Sequence, residues 1–227
     1  MAAATRIAVL GAGFMGSTHA RAYARRDDVE IAAIYAHSPQ RAEPLAQEVG
    51  SRWVSDLPAI LADPTIEAVD ICLPTTVHRE AFEAALDADK HVLLEKPIAL
   101  TEADARAMVQ RASESDRVVM VAHVLRFWPE YVATKRLIEE GNLGRPLAAV
   151  AARRQPFPAW SELFTRADLT GGAILDQMIH DYDVMNWLFG TPRSVTATGI
   201  LNERSGGYDH TQVLIRYDDA SGLVDGG

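Results

Sequence analysis

The sequence has one cysteine, no long hydrophobic run and no excess of positive charge. Because Cys72 has no second cysteine to pair with, no internal disulfide can form, which is typical of a reducing compartment. No stretch approaches the roughly 18–20 apolar residues of a membrane helix, and the first six residues have no signal-peptide pattern. Lys and Arg total 22 against 31 Asp and Glu, a net charge of −9. We therefore expect a cytoplasmic protein with no nucleic-acid or membrane partner.

What is present is an ordinary globular composition. Of the 227 residues, 48% are hydrophobic and 23% are charged. This balance excludes a disordered or collagen-like chain, and the length suits one large domain or two modest ones.

The first half of the chain alternates short apolar runs with helical segments. Five runs have the length of buried strands: 7–10, 31–35, 68–73, 91–94 and 118–122. Thr101 is the expected N-cap of the helix that precedes the last run. The alternation predicts an α/β fold, a Rossmann-type doubly wound parallel sheet covered on both faces, over residues 1–122.

The pattern changes after residue 122, where strands and helices no longer alternate. We expect helices at 129–140 and 173–189, and strands at 147–155, 194–201 and 211–217. Residues 123–227 are therefore interpreted as an α+β domain for substrate binding and oligomerisation, on an open, mostly antiparallel sheet. A further strand begins at Leu223 and stops with the chain, so we expect this domain to be truncated at its C-terminus.

Three glycines follow the first expected strand and open a helix. In this Gly-x-Gly-x-x-Gly pattern, Gly11 permits a tight turn, Gly13 lets the backbone approach a pyrophosphate, and Gly16 lets helix and strand pack closely. The helix N-terminus then offers N–H groups and a positive dipole end to the phosphates. The motif predicts a dinucleotide site.

The end of the second expected strand lacks the acid that usually binds the ribose 2′-hydroxyl of NAD. Ala36 follows the strand, while Ser38 and Arg41 lie at the start of the next helix and can donate to a 2′-phosphate. We therefore favour NADP(H) slightly over NAD(H).

Two further groups of residues have the chemistry of a catalytic site. Lys96 follows the fourth expected strand, where its ammonium can stabilise charge on a substrate oxygen. Asp176 and His180 are four residues apart in the expected helix, so the aspartate can orient a histidine acting as acid and base. Asp181 and Asp183 lie nearby and could add carboxylate ligands for a metal ion. Because ligands at positions i, i+4 and i+5 do not share one helix face, we expect no metal site here.

Together these motifs resemble the glucose–fructose oxidoreductase/inositol dehydrogenase (Gfo/Idh/MocA) family of NAD(P)-dependent oxidoreductases. The matching segments, in family order, are the glycine motif through His19, Cys72-Leu-Pro-Thr-Thr-Val-His78, Glu95-Lys-Pro97, Leu125-Arg-Phe-x-Pro129 and Gly171-Gly-Ala-Ile-Leu-Asp-Gln-Met-Ile-His-Asp-x-Asp183. They cover nearly the whole chain.

The resemblance implies a role for each matching position. Lys96, Asp176 and His180 match the family's catalytic trio. Cofactor-binding positions are Gly11, Gly13, Phe14, Met15, Gly16, Ser38, Arg41, Leu73, Pro74, Thr75, His78, Glu95, Lys96 and His123. Substrate-binding positions are Lys96, Arg126, Asp176 and His180. Arg153, Trp160 and Tyr182 can also contact a polyhydroxylated ligand, and each is equally consistent with packing or with the surface.

The activity that the resemblance implies is hydride transfer between the nicotinamide and a secondary alcohol or ketone of a sugar, inositol or related polyol. Two alternatives stay open: a redox-neutral NAD-dependent glycosidase of the same fold, and a non-catalytic dinucleotide-binding protein. Members of the family are longer than this chain. Their second-domain sheet commonly forms an oligomer interface, so we expect a homodimer or homotetramer.

Overall fold

The structure is a computed structural model that describes residues 3–156 and 162–227. The chain divides into two compact units, Met1–Ala122 and His123–Gly227, which are described separately below. Within the described ranges, no helix has the length and apolar character needed to cross a membrane.

The first unit is built on a six-stranded parallel sheet. Its strands are β1 (Thr5–Leu10), β2 (Val29–Tyr35), β3 (Trp53–Val54), β4 (Ala68–Ile71), β5 (His91–Leu94) and β6 (Val119–Val121). The spatial order is β3-β2-β1-β4-β5-β6, which confirms the doubly wound sheet. The sequence analysis missed β3, because two residues are too few to form an apolar run.

Helices cover both faces of this sheet. They are α1 (Phe14–Tyr23), α2 (Pro39–Glu48), α3 (Leu57–Leu61), α4 (His78–Asp87) and α5 (Glu102–Ser113). Alternate residues of β1 point to opposite sides, so Val9 packs in one buried cluster and Leu10 in the other. Thr101 caps α5 as expected, since its hydroxyl oxygen accepts the backbone N–H of Asp104 at 3.1 Å.

The second unit has a four-stranded mixed sheet with helices. Its helices are α6 (Pro129–Glu139), α7 (Ala167–Thr170), α8 (Gly172–Asp176) and α9 (Ile179–Phe189), and its strands are β7 (Ala148–Arg153), β8 (Ser194–Asn202), β9 (Gly207–Arg216) and β10 (Ser221–Gly226). The order is β7-β10-β9-β8. Two of its three strand pairs are antiparallel and only β7 with β10 is parallel, as the expected mostly antiparallel sheet requires. The strand that we expected to begin at Leu223 begins at Ser221 and is central, with neighbours on both sides.

The prediction of a single helix over 173–189 is wrong, because the helix is interrupted between α8 and α9. The N–H of Met178 donates to the carbonyl of Ala173, five residues back, at 2.9 Å, so the turn is wider than an α-helical turn. The N–H of His180 then donates to Gln177 at 3.3 Å. The break turns Met178 into the core, where it is fully buried and packs against the sheet at Gly226.

Candidate functional site

The glycine turn between β1 and α1 is packed so tightly that side chains are excluded at two of its positions. A Cβ atom on Gly11 would overlap the carbonyl oxygen of Cys72, and one on Gly16 would overlap the carbonyl oxygen of Gly11. Gly11 also has a φ of +120°, which favours glycine. At Gly13 a Cβ would meet nothing within 4 Å, and no side chain caps the start of α1 there. The turn therefore leaves the N-terminus of α1 without a side-chain cap and with space at Gly13.

Two other residues of this turn, Phe14 and Met15, lie in the first turn of α1. The Phe14 side chain is 67% exposed and Met15 is partly exposed. Both lie at the helix N-terminus, where the resemblance places the pyrophosphate.

The residues expected to choose between NAD and NADP lie where β2 leads into α2. Ser38 is the N-cap residue of α2 in extended conformation, and its side chain makes no capping hydrogen bond. Arg41 is exposed in the first turn of the same helix, which has no acidic residue in that turn. The N-terminus of α2 therefore carries one hydroxyl and one guanidinium at the carboxyl edge of the sheet.

Two loops at the same edge are tied together by one buried histidine. His78 is 1% exposed, with Nδ1 3.0 Å from the carbonyl oxygen of Pro97 and Nε2 2.9 Å from that of Leu73. Burial lowers its pKa, partly offset by these carbonyls and that of Ile98. Since both ring nitrogens contact backbone carbonyls, neither is directed towards a site for a dinucleotide. We expected His78 to bind the cofactor, whereas its geometry supports the loops that carry Leu73 and Pro97.

The residues expected at the adenosine and nicotinamide riboses flank that histidine. Pro74 is exposed, Leu73 is partly exposed, and Thr75 starts a short 3₁₀ turn, Thr75–Val77, that leads into α4. Glu95 follows β5 and is buried, with Oε2 accepting the backbone N–H of Lys96 at 3.0 Å. Lys96 is partly exposed in the next position.

Sequence reasoning missed a polar cluster beneath this edge. Nδ1 of His19 lies 2.8 Å from Oδ2 of Asp70, and Nε2 lies 3.4 Å from Oε1 of Glu95. The hydroxyl of Tyr23 donates to Asp70 at 2.9 Å. A signal was present in the sequence: Asp70 is a carboxylate inside the otherwise apolar strand β4, where an ionised group needs a partner.

In the second unit, the two acid/base candidates flank the break between helices. Asp176 is the last residue of α8, and His180 lies in the first turn of α9. Asp176 also lines a cavity of about 670 Å³, together with Gln155, Gln177, Arg204 and Tyr208 among others. Apart from Asp176, sequence reasoning named none of these as site residues, because they are ordinary polar residues on separate elements.

The predicted substrate residue Arg126 makes a strong ion pair in this unit. Its guanidinium donates to both carboxylate oxygens of the buried Asp183, at 2.8 and 2.6 Å, which raises the pKa of Arg126. His123 Nδ1 lies 3.7 Å from the same carboxylate. Arg153 makes a similar paired contact with the buried Asp181. Two donors each of Arg126 and Arg153 are therefore used to hold α9.

The remaining substrate candidates are placed differently. The hydroxyl of Tyr182 donates to the Met178 sulfur at 3.7 Å. Burial raises the pKa of Tyr182 to about 12. Trp160 lies outside the described residues.

Comparison with known proteins assigns both units. Residues 5–123 match the family model described as an oxidoreductase family, NAD-binding Rossmann fold, and residues 131–226 match the C-terminal domain model of the same family. The chain belongs to the Gfo/Idh/MocA oxidoreductase family. The resemblance found in the sequence is thereby confirmed, and with it a fold that binds a nicotinamide dinucleotide.

Individual members of the Gfo/Idh/MocA family are similar along most of this chain. An inositol 2-dehydrogenase of Rhizobium meliloti (strain 1021) is 33% identical over 217 residues, 93% of this chain and 64% of the relative. A scyllo-inositol 2-dehydrogenase (NAD(+)) of Bacillus subtilis (strain 168) is 31% identical, over 95% of this chain and 65% of the relative. The crystal structure of GenD2 from gentamicin A biosynthesis, in complex with NAD, superimposes with a TM-score of 0.93 at 27% identity, covering 100% of this chain and 66% of GenD2. The chain spans less than two thirds of the two curated relatives.

Proposed function

We propose that this protein is an NAD(P)-dependent oxidoreductase that acts on a secondary alcohol, or its ketone, in a sugar, inositol or related polyol. The observation that carries the proposal is the glycine turn, which leaves the N-terminus of α1 without a side-chain cap and with space at Gly13. The substrate class is supported by the relatives, which are named as inositol dehydrogenases.

The residues of the first unit fit a dinucleotide. The Gly11–Gly16 turn would hold the pyrophosphate through backbone N–H groups and the helix dipole. Leu73, Pro74 and Glu95 would border the riboses at the carboxyl edge of the sheet. His123, the first residue of the second unit, is also proposed to bind the cofactor. When bound, the nicotinamide supplies the hydride donor or acceptor.

Three side chains would carry the proton and charge chemistry. In the oxidation direction, His180 would take the hydroxyl proton and Asp176 would stabilise the resulting imidazolium. Lys96 would stabilise negative charge on the substrate oxygen. Arg126 would remain at the edge of the substrate site, with two of its donors held by Asp183.

The cofactor preference in this proposal is NADP(H) over NAD(H). Support comes from the N-terminus of α2, where Ser38 and Arg41 are present and an acidic residue is absent from the first turn. An acid there would repel a 2′-phosphate, whereas a hydroxyl, a guanidinium and helix N–H groups attract it. Arg41→Ala should lower NADPH affinity about tenfold and leave NADH affinity within about twofold. Equal loss for both cofactors would contradict the assignment of Arg41.

A homo-oligomer is also part of the proposal. The face of the second sheet that carries Val150 and Leu214 exposes both side chains, by 70% and 52%. Exposed apolar patches of this kind mark interaction surfaces. Light scattering of the purified chain gives the number of copies directly.

The experiment that tests the activity combines cofactor titration with turnover. NADPH and NADH are titrated against tryptophan emission, and oxidation of myo-inositol and scyllo-inositol is followed at the nicotinamide absorbance. His180→Asn should lower turnover about 10²–10⁴-fold while the cofactor dissociation constant stays within about twofold. His210→Asn, on β9 of the same unit, is the matched control and should retain activity. If His180→Asn abolishes cofactor binding as well, the histidine is structural and its catalytic assignment is wrong.

A further inference from the structure

One imidazole lies between two buried carboxylates at the carboxyl edge of the first sheet. Asp70 is 2% exposed and Glu95 is 6% exposed. His19 faces Asp70 through Nδ1 at 2.8 Å and Glu95 through Nε2 at 3.4 Å. A buried carboxylate without a compensating charge costs free energy of folding. Asp70 and Glu95 therefore need a cation, and they share His19 as a common partner.

The neighbouring titratable groups leave His19 as the cation of this cluster. Tyr23, on the same helix, is held neutral because burial and Asp70 raise its pKa, and its hydroxyl donates to Asp70. Burial and the same two carboxylates raise the pKa of the Cys72 thiol, so it stays protonated. Lys96 contributes positive charge near Glu95 from outside the contact. Burial lowers the pKa of His19, but the hydrogen bond and charge of Asp70 and the charge of Glu95 outweigh it, and the pKa is raised.

The contacts of His19 with Asp70 and Glu95, called the bridge below, connect two parts of the candidate dinucleotide site. His19 lies on α1, three residues after Gly16, so it belongs to the helix whose N-terminus would hold the pyrophosphate. Glu95 is fixed at one oxygen by His19 and at the other by the backbone N–H of Lys96, 3.0 Å away. The position of Glu95 relative to α1 therefore depends on this one imidazole.

We propose that His19 is a positioning residue of the dinucleotide site, whose imidazolium bridges Asp70 and Glu95 and holds the Glu95 carboxylate against α1. This inference rests on the proposed function, because it takes Glu95 as a cofactor-binding residue. It goes beyond that function by assigning a role to His19, Asp70 and Tyr23, which touch no expected ligand.

The same residues raise the question of a metal ion. Potential ligand atoms of His19, Asp70 and Cys72 all lie within 4.8 Å of one another. An imidazolium has no lone pair for a metal, and a metal would need the Cys72 thiolate, which two nearby carboxylates disfavour. The geometry favours the bridge, and Zn²⁺ binding is an outcome that the test must be able to detect.

The bridge predicts a direction of pH dependence. The pKa of His19 is raised above its usual 6.5 in the folded chain, so its stabilising effect is fully present below about pH 6.5 and is lost as the pH rises through the folded-state value. Affinity for the cofactor should fall over the same interval. NADH is the probe, because the 2′-phosphate of NADPH titrates near pH 6 itself.

The first measurement is a ¹⁵N NMR titration of the histidine rings in the full chain. The chain has seven histidines, and the signal missing from His19→Asn identifies His19. We expect it to titrate above 6.5, and Asp70→Asn to lower its pKa, because the hydrogen bond and charge of Asp70 raise it. A His19 that titrates at or below 6.5 would overturn the proposal, whatever the cofactor result. Saturable Zn²⁺ binding that Cys72→Ser abolishes would also overturn it, in favour of a metal site.

The second measurement is NADH affinity between pH 6 and 9.5. His19→Asn should weaken NADH binding about tenfold at pH 6.5 and remove the pH dependence, since one charge-assisted hydrogen bond is lost. His91→Asn is the matched control: His91 begins β5 at the opposite edge of the sheet, where its Nδ1 accepts the Val118 N–H. Unchanged affinity and slope in His19→Asn would contradict the proposal. If the wild-type chain binds neither dinucleotide, the proposed function fails, and the NMR titration still decides whether the bridge exists.

Discussion

The two units bury their sheets in different ways. In the first unit, helices cover both faces, and apolar residues from alternate positions of β1 enter two separate buried clusters. In the second, one face packs against α9 through Met178, Met185 and Val213, while the opposite face carries exposed Val150 and Leu214. In the second unit, the ion pairs of Asp181 and Asp183 therefore add to the apolar contacts that hold α9.

The position of the buried charges differs as well. In the first unit the buried carboxylates Asp70 and Glu95 lie around His19 at the carboxyl edge of the sheet, where the cofactor site is proposed. The buried Lys90 lies elsewhere and donates to the carbonyls of Asp63 and Ile66. In the second unit Asp181 and Asp183 each receive two donors from an arginine along α9. The buried carboxylates of the first unit thus lie at the proposed site, whereas two of the three described in the second unit attach α9 and the third, Asp225, lies in β10.

The largest effect is expected from breaking an ion pair of the second unit. Asp183→Ala removes two charge-assisted hydrogen bonds from Arg126 and should lower the free energy of unfolding by about 3–4 kcal/mol. The loss is at the low end for two such bonds because the Arg126 side chain is 40% exposed and water can solvate its charge. Urea denaturation, with hydrogen exchange of peptides from α9, measures it.

The control is an exposed pair of the same geometry. Arg193 donates twice to Asp218, and both side chains are more than half exposed. Asp218→Ala should change the free energy of unfolding little, because solvent screens an exposed pair. Equal losses for Asp183→Ala and Asp218→Ala would show that α9 does not depend on its buried pair.

A smaller effect is expected from adjacent residues on the two faces of the second sheet. Ile215 is 4% exposed, and Ile215→Ala should cost about 3 kcal/mol through the cavity it leaves. Leu214→Ala, on the exposed face, should change the stability of a single copy by less than about 0.5 kcal/mol. Denaturation curves at low concentration, with light scattering, separate the two.

Light scattering decides what the exposed face does. If Leu214→Ala lowers the number of associated copies while Ile215→Ala lowers only stability, the exposed face is the surface of association. A Leu214→Ala chain that associates like the wild type would remove this face from the proposed oligomer.

Much of the first unit was predictable from sequence because burial on both faces turns strands into short apolar runs. Five of the six strands, all except β3, were found as such runs before the pattern changes after residue 122. The two-residue β3 escaped, since pairing with β2 and not composition defines it. The cofactor turn was predictable because Gly11 and Gly16 are required by contacts that leave no room for a Cβ.

The candidate site was less predictable where it depends on contacts between distant residues. The His19–Asp70 contact joins positions 51 residues apart, and helical or strand spacing cannot show it. One continuous helix over 173–189 was expected to place Asp176 and His180 on one face, but α8 ends at Asp176 and α9 begins at Ile179. Arg126 was named for substrate, and the sequence could not show that Asp183 takes two of its donors.

The smallest expected effect concerns pH, and it should have opposite signs in the two units. Hydrogen bonds from Arg154 and Gln212 lower the pKa of Asp225 in the second unit. Its ionised carboxylate therefore stabilises the folded state fully above pH 3.8, and this contribution is lost as the pH falls through the folded-state pKa. In the first unit the raised pKa of His19 gives a contribution that is lost as the pH rises. Hydrogen exchange, corrected for intrinsic rates, should show the second unit losing protection first in acid and the first unit losing it first in base. Asp225→Asn should flatten only the acid response and His19→Asn only the basic one; a variant that changes both responses would mean that the two units do not unfold independently and that their different charge placement has no separate consequence.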